Sequence, residues 1–281
     1  MGRAENVMIF QDTDRHCREN KTLVAAVKNS SEKQVLTEET EKVLSASGSR
    51  VYEEAAKIVV SQKRSFEAAV GYADRKVCVL NFASSSNPGG GVINGSSAQE
   101  EALCRCSTLY FNLNTPEMWK GFYRPHREAK DPLHNDDCIY TPDVVVFKTD
   151  TGVPEMMDET AWYKVNVITC AAPNLREHPS NGMNPGEGAK KVSITQEKLQ
   201  KLHEKRMRRI LDLAALNGDE VVILGAFGCG AFRNDPKVVA KAMRTVMEEY
   251  RYVFKAIEFA VYCPPGDDSN YRVFKQELSD M

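Results

Sequence analysis

Three consecutive glycines between a strand-like and a helix-like segment constrain this chain more than any other feature. The apolar residues 77–83 predict a buried strand, residues 89–91 are the glycines, and the apolar spacing over residues 98–113 predicts a helix. A loop without side chains exposes its N–H groups beside the positive end of a helix dipole. The segment therefore predicts an anion site that suits a phosphate or diphosphate.

Two adjacent glutamates, Glu100 and Glu101, stand in the first turn of this predicted helix. The preceding Ser97 and Glu100 fit the S-x-x-E capping box, in which both side chains bond free N–H groups at the helix start. Successive helical residues diverge by about 100°, so we do not expect both carboxylates to point at one reacting atom. If Glu100 caps the helix or holds a substrate hydroxyl, Glu101 remains as the candidate acid–base. Acidic residues in a first turn also simply favour the helix dipole, and the spacing alone leaves both interpretations open.

These residues resemble the signature of a known family. Residues 89–91, a spacer of seven, and then Gln99-Glu100-Glu101 are similar to the GGG-x6–8-QEE signature of the poly(ADP-ribose) glycohydrolases, which are elaborated macrodomains. The flanking residues 81–84 and 87–88 resemble the bacterial-type branch. A second glycine-rich segment, residues 225–232, resembles the second ligand loop of that family. The similarity runs from about Lys57 to the C terminus.

Composition narrows the class of protein. The chain has 281 residues, of which 42% are hydrophobic and 27% charged, and its net charge is −2. A chain so close to neutral has no global positive field, so we expect no strong nucleic-acid or membrane binding. No apolar run approaches the ~20 residues that span a bilayer, and the first ten residues lack the apolar core of a secretory signal. We therefore expect a cytoplasmic protein, and a monomer.

The order of the predicted elements indicates an α/β fold. Residues 1–50 are predicted to be a helical extension packed on the main domain, with helical spacing from Leu23 to Val27, a separator at residues 29–31 and a second helix at residues 37–44. The main domain, residues 51–281, alternates strands and helices, which predicts three layers. The resemblance makes this a macrodomain-like α/β/α fold with a mixed central sheet. Strands are predicted at residues 57–61, 77–83, 144–148, 165–171, 221–224 and 256–262, and helices at residues 65–72, 98–113, 194–217 and 270–278 and from Asp235 onward.

Neither the cysteines nor the histidines predict a metal site. The eight cysteines contain no C-x-x-C pair, and several lie in apolar runs as small hydrophobes. Cys229, between two glycines, is either a reactive thiol or a small residue that fits under a backbone turn. His126 and His134 lie in an irregular segment, residues 115–137, with a spacing that matches no ligand pattern. We expect neither a metal nor a cofactor.

The resemblance implies hydrolysis of the ribose–ribose O-glycosidic bond of poly(ADP-ribose), with ADP-ribose as the product. Glu101 would act as general acid and then as general base, with Glu100 beside it, while both glycine loops bind the diphosphate. Asn81 and Asn87 would bind ribose hydroxyls, and Phe232 would pack on the reacting ribose with Phe227 nearby. The implied substrate-binding residues are Asn81, Asn87, Gly89, Gly90, Gly91, Gln99, Gly225, Phe227, Gly228, Cys229, Gly230, Ala231 and Phe232.

Three other functions stay open, of which a nucleotide-phosphate hydrolase has the least support. The same glutamate suits a hydrolase that removes single ADP-ribose groups from protein or nucleic acid. A module that binds ADP-ribose without cleaving it would need the glycine loops alone. Ordinary macrodomains lack the QEE pair, which favours the hydrolase over the binding module.

Overall fold

The N-terminal segment is a helical hairpin followed by an edge strand. A computed structural model describes residues 2–180 and 185–281. Helices α1 (Arg3–Glu19) and α2 (Lys21–Lys33) are separated by Asn20, whose side chain accepts from the first N–H groups of α2. The predicted separator at residues 29–31 was wrong, since these residues lie inside α2. The predicted helix at residues 37–44 was also wrong: Thr37 ends strand β1 (Val35–Thr37), which pairs with residues 138–140, and residues 38–44 form turns and irregular structure. This distant pairing overrides the local helical spacing.

Within residues 2–180 and 185–281, seven strands form one mixed sheet, as the predicted fold class requires. After β1 come β2 (Lys57–Ser61), β3 (Val77–Phe82), β4 (Cys138–Val146), β5 (Tyr163–Cys170), β6 (Val221–Leu224) and β7 (Ala256–Ala260). Their order across the sheet is β1-β4-β5-β3-β6-β7-β2. Strands β5, β3, β6, β7 and β2 are parallel neighbours, whereas β4 is antiparallel to β1 and to β5.

Helices cover both faces of this sheet. The remaining helices are α3 (Ser65–Ala69), α4 (Gln99–Cys106), α5 (Leu109–Leu113), α6 (Pro116–Met118), α7 (Arg124–Ala129), α8 (Gln196–Leu216), α9 (Pro236–Glu249) and α10 (Ser269–Leu278), and Trp119–Tyr123 is a π turn between α6 and α7. Alternate residues of β3 enter opposite cores: Leu80 packs with α8 and α9, and Val79 packs with α3 and α4. In the part of the chain described, none of the helices combines the length and apolar character needed to cross a membrane.

Two segments differ from the sequence prediction in the region that carries the site. The single helix predicted at residues 98–113 is interrupted at Ser107, because Ser107 pairs with Val146 and Thr108 donates to the carbonyl of Val145. Residues 115–137, predicted to be irregular, are helical from Pro116 to Ala129. Of the second predicted loop, residues 175–192, residues 181–184 lie outside the described residues.

Because parallel strands end at the same edge, the loops after β3, β6, β7 and β2 lie side by side. Those loops begin at residues 83, 225, 261 and 62. Ligands of open α/β sheets bind beyond this carboxyl edge.

Candidate active site

Gln99 fixes the start of α4 against the end of β3. Its amide oxygen accepts the N–H of Phe82 at 2.9 Å, and its amide nitrogen donates to the Leu80 carbonyl at 2.8 Å and to the Ser65 hydroxyl at 3.0 Å. Gln99 borders the cavity described below, but these bonds use its amide within the protein. It therefore orients the two glutamates that follow it.

Glu100 is buried against β3 and is not a helix cap. The residue before α4 is Ala98, with no side-chain cap, so the predicted capping box of Ser97 and Glu100 is wrong. The Glu100 carboxylate instead accepts the N–H of Ser84 at 2.7 Å and the side-chain amide of Asn81 at 3.3 Å. Burial and the neighbouring Glu101 charge raise its pKa well above the ordinary value.

Glu101 is bonded to the first glycine loop itself. Its Oε1 accepts the N–H of Gly91 at 2.9 Å, and burial raises its pKa. A Cβ placed on Gly90 would be 2.6 Å from Glu101 Oε1 and 3.1 Å from Glu100 Oε2. Both carboxylates therefore lie close to Gly90, while each accepts from different donors: Glu100 from Ser84 and Asn81, and Glu101 from Gly91.

The first glycine loop holds the glutamates and offers fewer free donors than predicted. The Gly90 N–H donates to the Asn87 carbonyl at 3.0 Å, and that of Gly91 to Glu101. Gly89 and Gly90 have φ values of +66° and +58°, which glycine alone adopts without strain. The expected diphosphate contacts of Gly90 and Gly91 are thus corrected, since these N–H groups are already bonded inside the protein.

The second glycine loop has backbone N–H groups that are not used within the described protein. The N–H groups of Gly228, Gly230 and Ala231 donate to no acceptor within residues 2–180 and 185–281, and all three residues border the cavity. Gly228 has a φ of +80° and lies against Ala172 and Asn234, so a side chain has no room there. This loop is the better anion site of the two.

Three predicted members of the second loop are structural. A Cβ on Gly225 would be 2.7 Å from the Ala260 carbonyl. Phe227 is fully buried, with its ring centroid 5.6 Å from that of Phe82. Desolvation raises the pKa of the partly buried Cys229 thiol, which favours the small-residue interpretation over the reactive thiol. These residues shape the loop from beneath.

The two predicted asparagines lie behind the glutamates. Asn81 is fully buried and donates to Glu100 and to the Thr169 hydroxyl, so its expected contact with a ribose is corrected to support of Glu100. Asn87 accepts from the Arg127 guanidinium and donates to the Ser86 hydroxyl at 3.2 Å. Neither residue borders the cavity.

The predicted residues that remain surround one cavity of about 320 Å³. Phe232 borders it, with the Arg176 guanidinium 5.5 Å from its ring centroid. Sequence reasoning missed the far end, where the Arg64 guanidinium lies 3.9 Å from the Tyr262 ring centroid. Both residues follow strands, β2 and β7, that only the observed strand order makes neighbours. The cavity is bordered by Gly90, Gln99, Glu100, Glu101, Gly228, Gly230, Ala231 and Phe232, and by the unpredicted Arg64, Phe82, Asp150, Tyr262 and Asn270.

The titratable side chains of the described residues do not form a metal-binding cluster. No group of three or more His, Cys, Asp or Glu side chains in them is arranged to hold a metal ion. His126 and His134 have ring centroids 6.2 Å apart, and each hydrogen-bonds protein acceptors.

Comparison with known proteins connects this site to one family. The family model of the microbial-type PARG catalytic domain matches residues 4–149. A crystal structure of poly(ADP-ribose) glycohydrolase (PARG) from Thermomonospora curvata is 27% identical, with a TM-score of 0.80 over 97% of this chain and 99% of that chain. The same enzyme bound to the inhibitor ADP-HPD is 26% identical, with a TM-score of 0.78 over the same shares. PARG from Deinococcus radiodurans in complex with ADP-ribose is 30% identical, with a TM-score of 0.74 over 90% of this chain and 97% of that chain. No curated protein matches the chain.

Proposed function

The chain belongs to the microbial-type PARG family, and from this membership we propose how its cavity works as a poly(ADP-ribose) glycohydrolase. The enzyme is a glycosidase that hydrolyses ribose–ribose O-glycosidic bonds and releases ADP-ribose. One observation carries the assignment of the chemistry to this cavity. Two buried carboxylates with raised pKa values lie close to Gly90, and the second loop, which borders the same cavity, has N–H groups without an acceptor in residues 2–180 and 185–281.

Glu101 is the proposed general acid and base. In its protonated form it donates its proton to the departing ribose oxygen as the glycosidic bond breaks, and an oxocarbenium-like centre forms on the other ribose. The Glu101 carboxylate then takes a proton from water while the water oxygen bonds to the anomeric carbon, which restores the acid. A raised pKa suits this role, because the acid form is then present closer to neutral pH.

Glu100 supports this chemistry from the adjacent position. Its two oxygens accept from Ser84 and Asn81, so the protein already occupies both. Its charge is close enough to raise the affinity of the pair for a proton. One acid serving both steps, with Glu100 beside it and without a metal, is the scheme that these contacts support.

The order of the loops along the sheet edge supports a proposed position for the rest of the substrate. The free N–H groups of Gly228, Gly230 and Ala231, above β6, bind the diphosphate, and Phe232 packs on the reacting ribose. The Arg64–Tyr262 pair, above β2 and β7, offers a flat cationic and aromatic surface for the adenosine half. The proposal includes a monomeric state and a cytoplasmic location, which light scattering and cell fractionation test.

The deciding experiment compares substrates side by side. Labelled poly(ADP-ribose) and mono-ADP-ribosylated protein are incubated separately with the enzyme, and released ADP-ribose is measured. We expect release from the polymer, and none from the polymer when Glu101→Gln replaces the wild type. Release from the mono-ADP-ribosylated protein alone would favour the mono-ADP-ribosyl hydrolase, and tight ADP-ribose binding in calorimetry without any turnover would favour the binding module.

A further inference from the structure

The turn of residues 84–87 sets the position of both catalytic glutamates. Its Ser84 N–H donates to Glu100 at 2.7 Å. Its Asn87 carbonyl accepts the Gly90 N–H at 3.0 Å, and the next N–H, that of Gly91, donates to Glu101. A shift of this turn therefore moves the donors that hold both carboxylates.

The turn is held from beneath by one distant carboxylate, that of Glu187. Glu187 Oε1 accepts from the hydroxyls of Ser85 and Ser86, each at 3.0 Å. Its Oε2 lies 2.8 Å from His134 Nε2 and 3.2 Å from the Asn174 amide nitrogen. The residue is 1% exposed. Burial alone would raise its pKa, but these donors lower the pKa to about 2, so the group is ionised.

Close neighbours confine the backbone on both sides of Glu187. Gly186 and Gly188, on either side, have φ values of +99° and +87°. A Cβ on Gly186 would lie 2.8 Å from Arg127 Cγ, and one on Gly188 would lie 2.6 Å from the Lys130 carbonyl oxygen. The α7 helix and the loop after it thus fix the carboxylate under the turn.

The same carboxylate also reaches the other wall of the cavity. The His134 ring, which donates through Nδ1 to the Ala172 carbonyl at 2.8 Å, lies with its centroid 6.0 Å from that of Phe232. Arg176, whose guanidinium faces Phe232 at 5.5 Å, lies within electrostatic range of Glu187 and donates to Asn174 at 3.1 Å. His134 and Arg176 thus connect Glu187 to Phe232.

We propose that Glu187 is a positioning residue for hydrolysis. It holds the turn of residues 84–87 against Glu100 on one side of the cavity, and it holds Phe232 against the ribose on the other side. It touches no reacting atom and acts through these two contacts. This inference rests on the proposed function of the cavity. Glu187 lies outside both glycine motifs, and it fixes the relative positions of the two walls of the active site.

The two contacts are separable by substitution. The double variant Ser85→Ala/Ser86→Ala removes the bonds to the turn but keeps the His134–Glu187 pair. We expect its kcat to fall by about 10- to 100-fold, with KM within about threefold of wild type, because a displacement near 1 Å costs up to about 10² in rate. Glu187→Ala removes both contacts, so we expect the same loss in kcat together with a KM raised about 3- to 10-fold. Glu187→Gln, whose amide oxygen still accepts from the serines, restores most of the kcat.

A matched control separates positioning from stability. Asp219 is a buried carboxylate that accepts from Tyr140 and Asn166 at the opposite edge of the sheet. Asp219→Ala also strands buried donors, so it lowers the melting temperature, yet we expect kcat and KM near wild type. The triple variant of Ser85, Ser86 and Glu187 should have the kcat of Glu187→Ala, because the substitutions break one shared contact.

Several results would overturn the inference. Wild-type kcat in the double serine variant refutes the contact with the turn, and does so even if Glu187→Ala fails to fold. Multiplied losses of kcat in the triple variant, or equal losses in Asp219→Ala, refute positioning as well. A wild-type enzyme that releases no ADP-ribose refutes the proposed function itself, whereas active wild type with fully active Glu187→Ala refutes only the role of Glu187.

Discussion

Replacement of Glu101 by glutamine tests the mechanism most directly, because the structure makes this change nearly isosteric. Glu101 uses Oε1 to accept the Gly91 N–H at 2.9 Å, and a glutamine oxygen accepts that bond equally well. The loop and the neighbouring Glu100 therefore keep their positions. The variant loses only the ability to give and take a proton.

The size of the effect follows from that loss. A positioned acid or base contributes about 10²–10⁴ in rate, and here one group serves both the departure of the ribose and the attack of water. We expect Glu101→Gln to lower kcat by at least about 10³, which corresponds to about 4 kcal/mol in the activation free energy. Binding of ADP-ribose should change by less than about threefold, because the second glycine loop and Phe232 are unaffected.

The folding free energy of the same variant supplies an independent measurement. Burial raises the pKa of Glu101 in the folded state above its value in the unfolded chain. Wild-type stability is therefore greatest below the unfolded pKa and falls as pH rises toward neutral. Glutamine does not ionise, so we expect Glu101→Gln to be at least as stable as wild type at neutral pH, with the difference decreasing in acid.

The assay measures release of ADP-ribose from labelled polymer, with calorimetry for binding and urea unfolding for stability. Glu100→Gln is the matched control, since Glu100 is the preceding residue on α4 and is also buried. We expect the loss of kcat in Glu100→Gln to be at least about tenfold smaller than in Glu101→Gln, because Glu100 supports the acid and does not itself transfer the proton. Turnover by Glu101→Gln above about a tenth of wild type, or a larger loss in Glu100→Gln, would refute the assignment of Glu101 as the acid.

Three further predictions concern the loop, a distant carboxylate and metal dependence. Gly90→Ala places a Cβ 2.6 Å from Glu101 Oε1 in a left-handed backbone, so kcat should fall by about 100-fold, whereas Gly152→Ala, with open space around it, should match wild type in kinetic assays. Burial raises the pKa of Asp219 to about 6 despite its hydrogen bonds, so the free energy of unfolding of wild type falls by up to about 3 kcal/mol as pH rises from 4 to 7. In urea unfolding at those two pH values, Asp219→Asn should lose much less stability than wild type. An equal loss in both proteins would contradict this prediction. Turnover should persist in excess EDTA, and a loss restored by Zn²⁺ or Mg²⁺ would contradict the proposed metal-free scheme.

The sequence predicted best those elements whose signal is local. Val221–Leu224 was predicted with its observed bounds, because all four residues are apolar and buried on both faces of the sheet. Asp235 caps α9 and Pro236 begins it, as the cap and proline pattern indicates. The helix predicted at residues 37–44 was wrong, because Thr37 instead ends strand β1, whose partner strand lies about a hundred residues further along the chain. Edge strands of this kind have no local pattern that separates them from a short helix.

The candidate site shows the same division between local and distant information. The spacing of the glycines and glutamates placed Gly90, Glu100 and Glu101 in one site, and the structure brings these three together. The sequence gives no sign that Glu101 uses the Gly91 N–H, since that bond depends on how the loop folds back. Glu187 lies 86 positions after Glu101 in the chain, and its contacts with the serine turn exist only in the folded protein.

The failed capping box links the stability of this enzyme to its chemistry. Glutamates in a first helical turn ordinarily lie in solvent, where they stabilise the helix dipole. Here Glu100 and Glu101 are 2% and 6% exposed, and burial raises both pKa values, so ionisation works against folding at neutral pH. The bonds of Gln99 to β3 and the bond from the Arg105 guanidinium to the Ser96 carbonyl at 2.6 Å hold α4 in this costly position. The reaction needs a proton kept on a carboxylate, and burial of these first-turn glutamates raises their pKa values at a cost in stability. Substitutions that remove this cost should therefore both stabilise the fold and slow the enzyme.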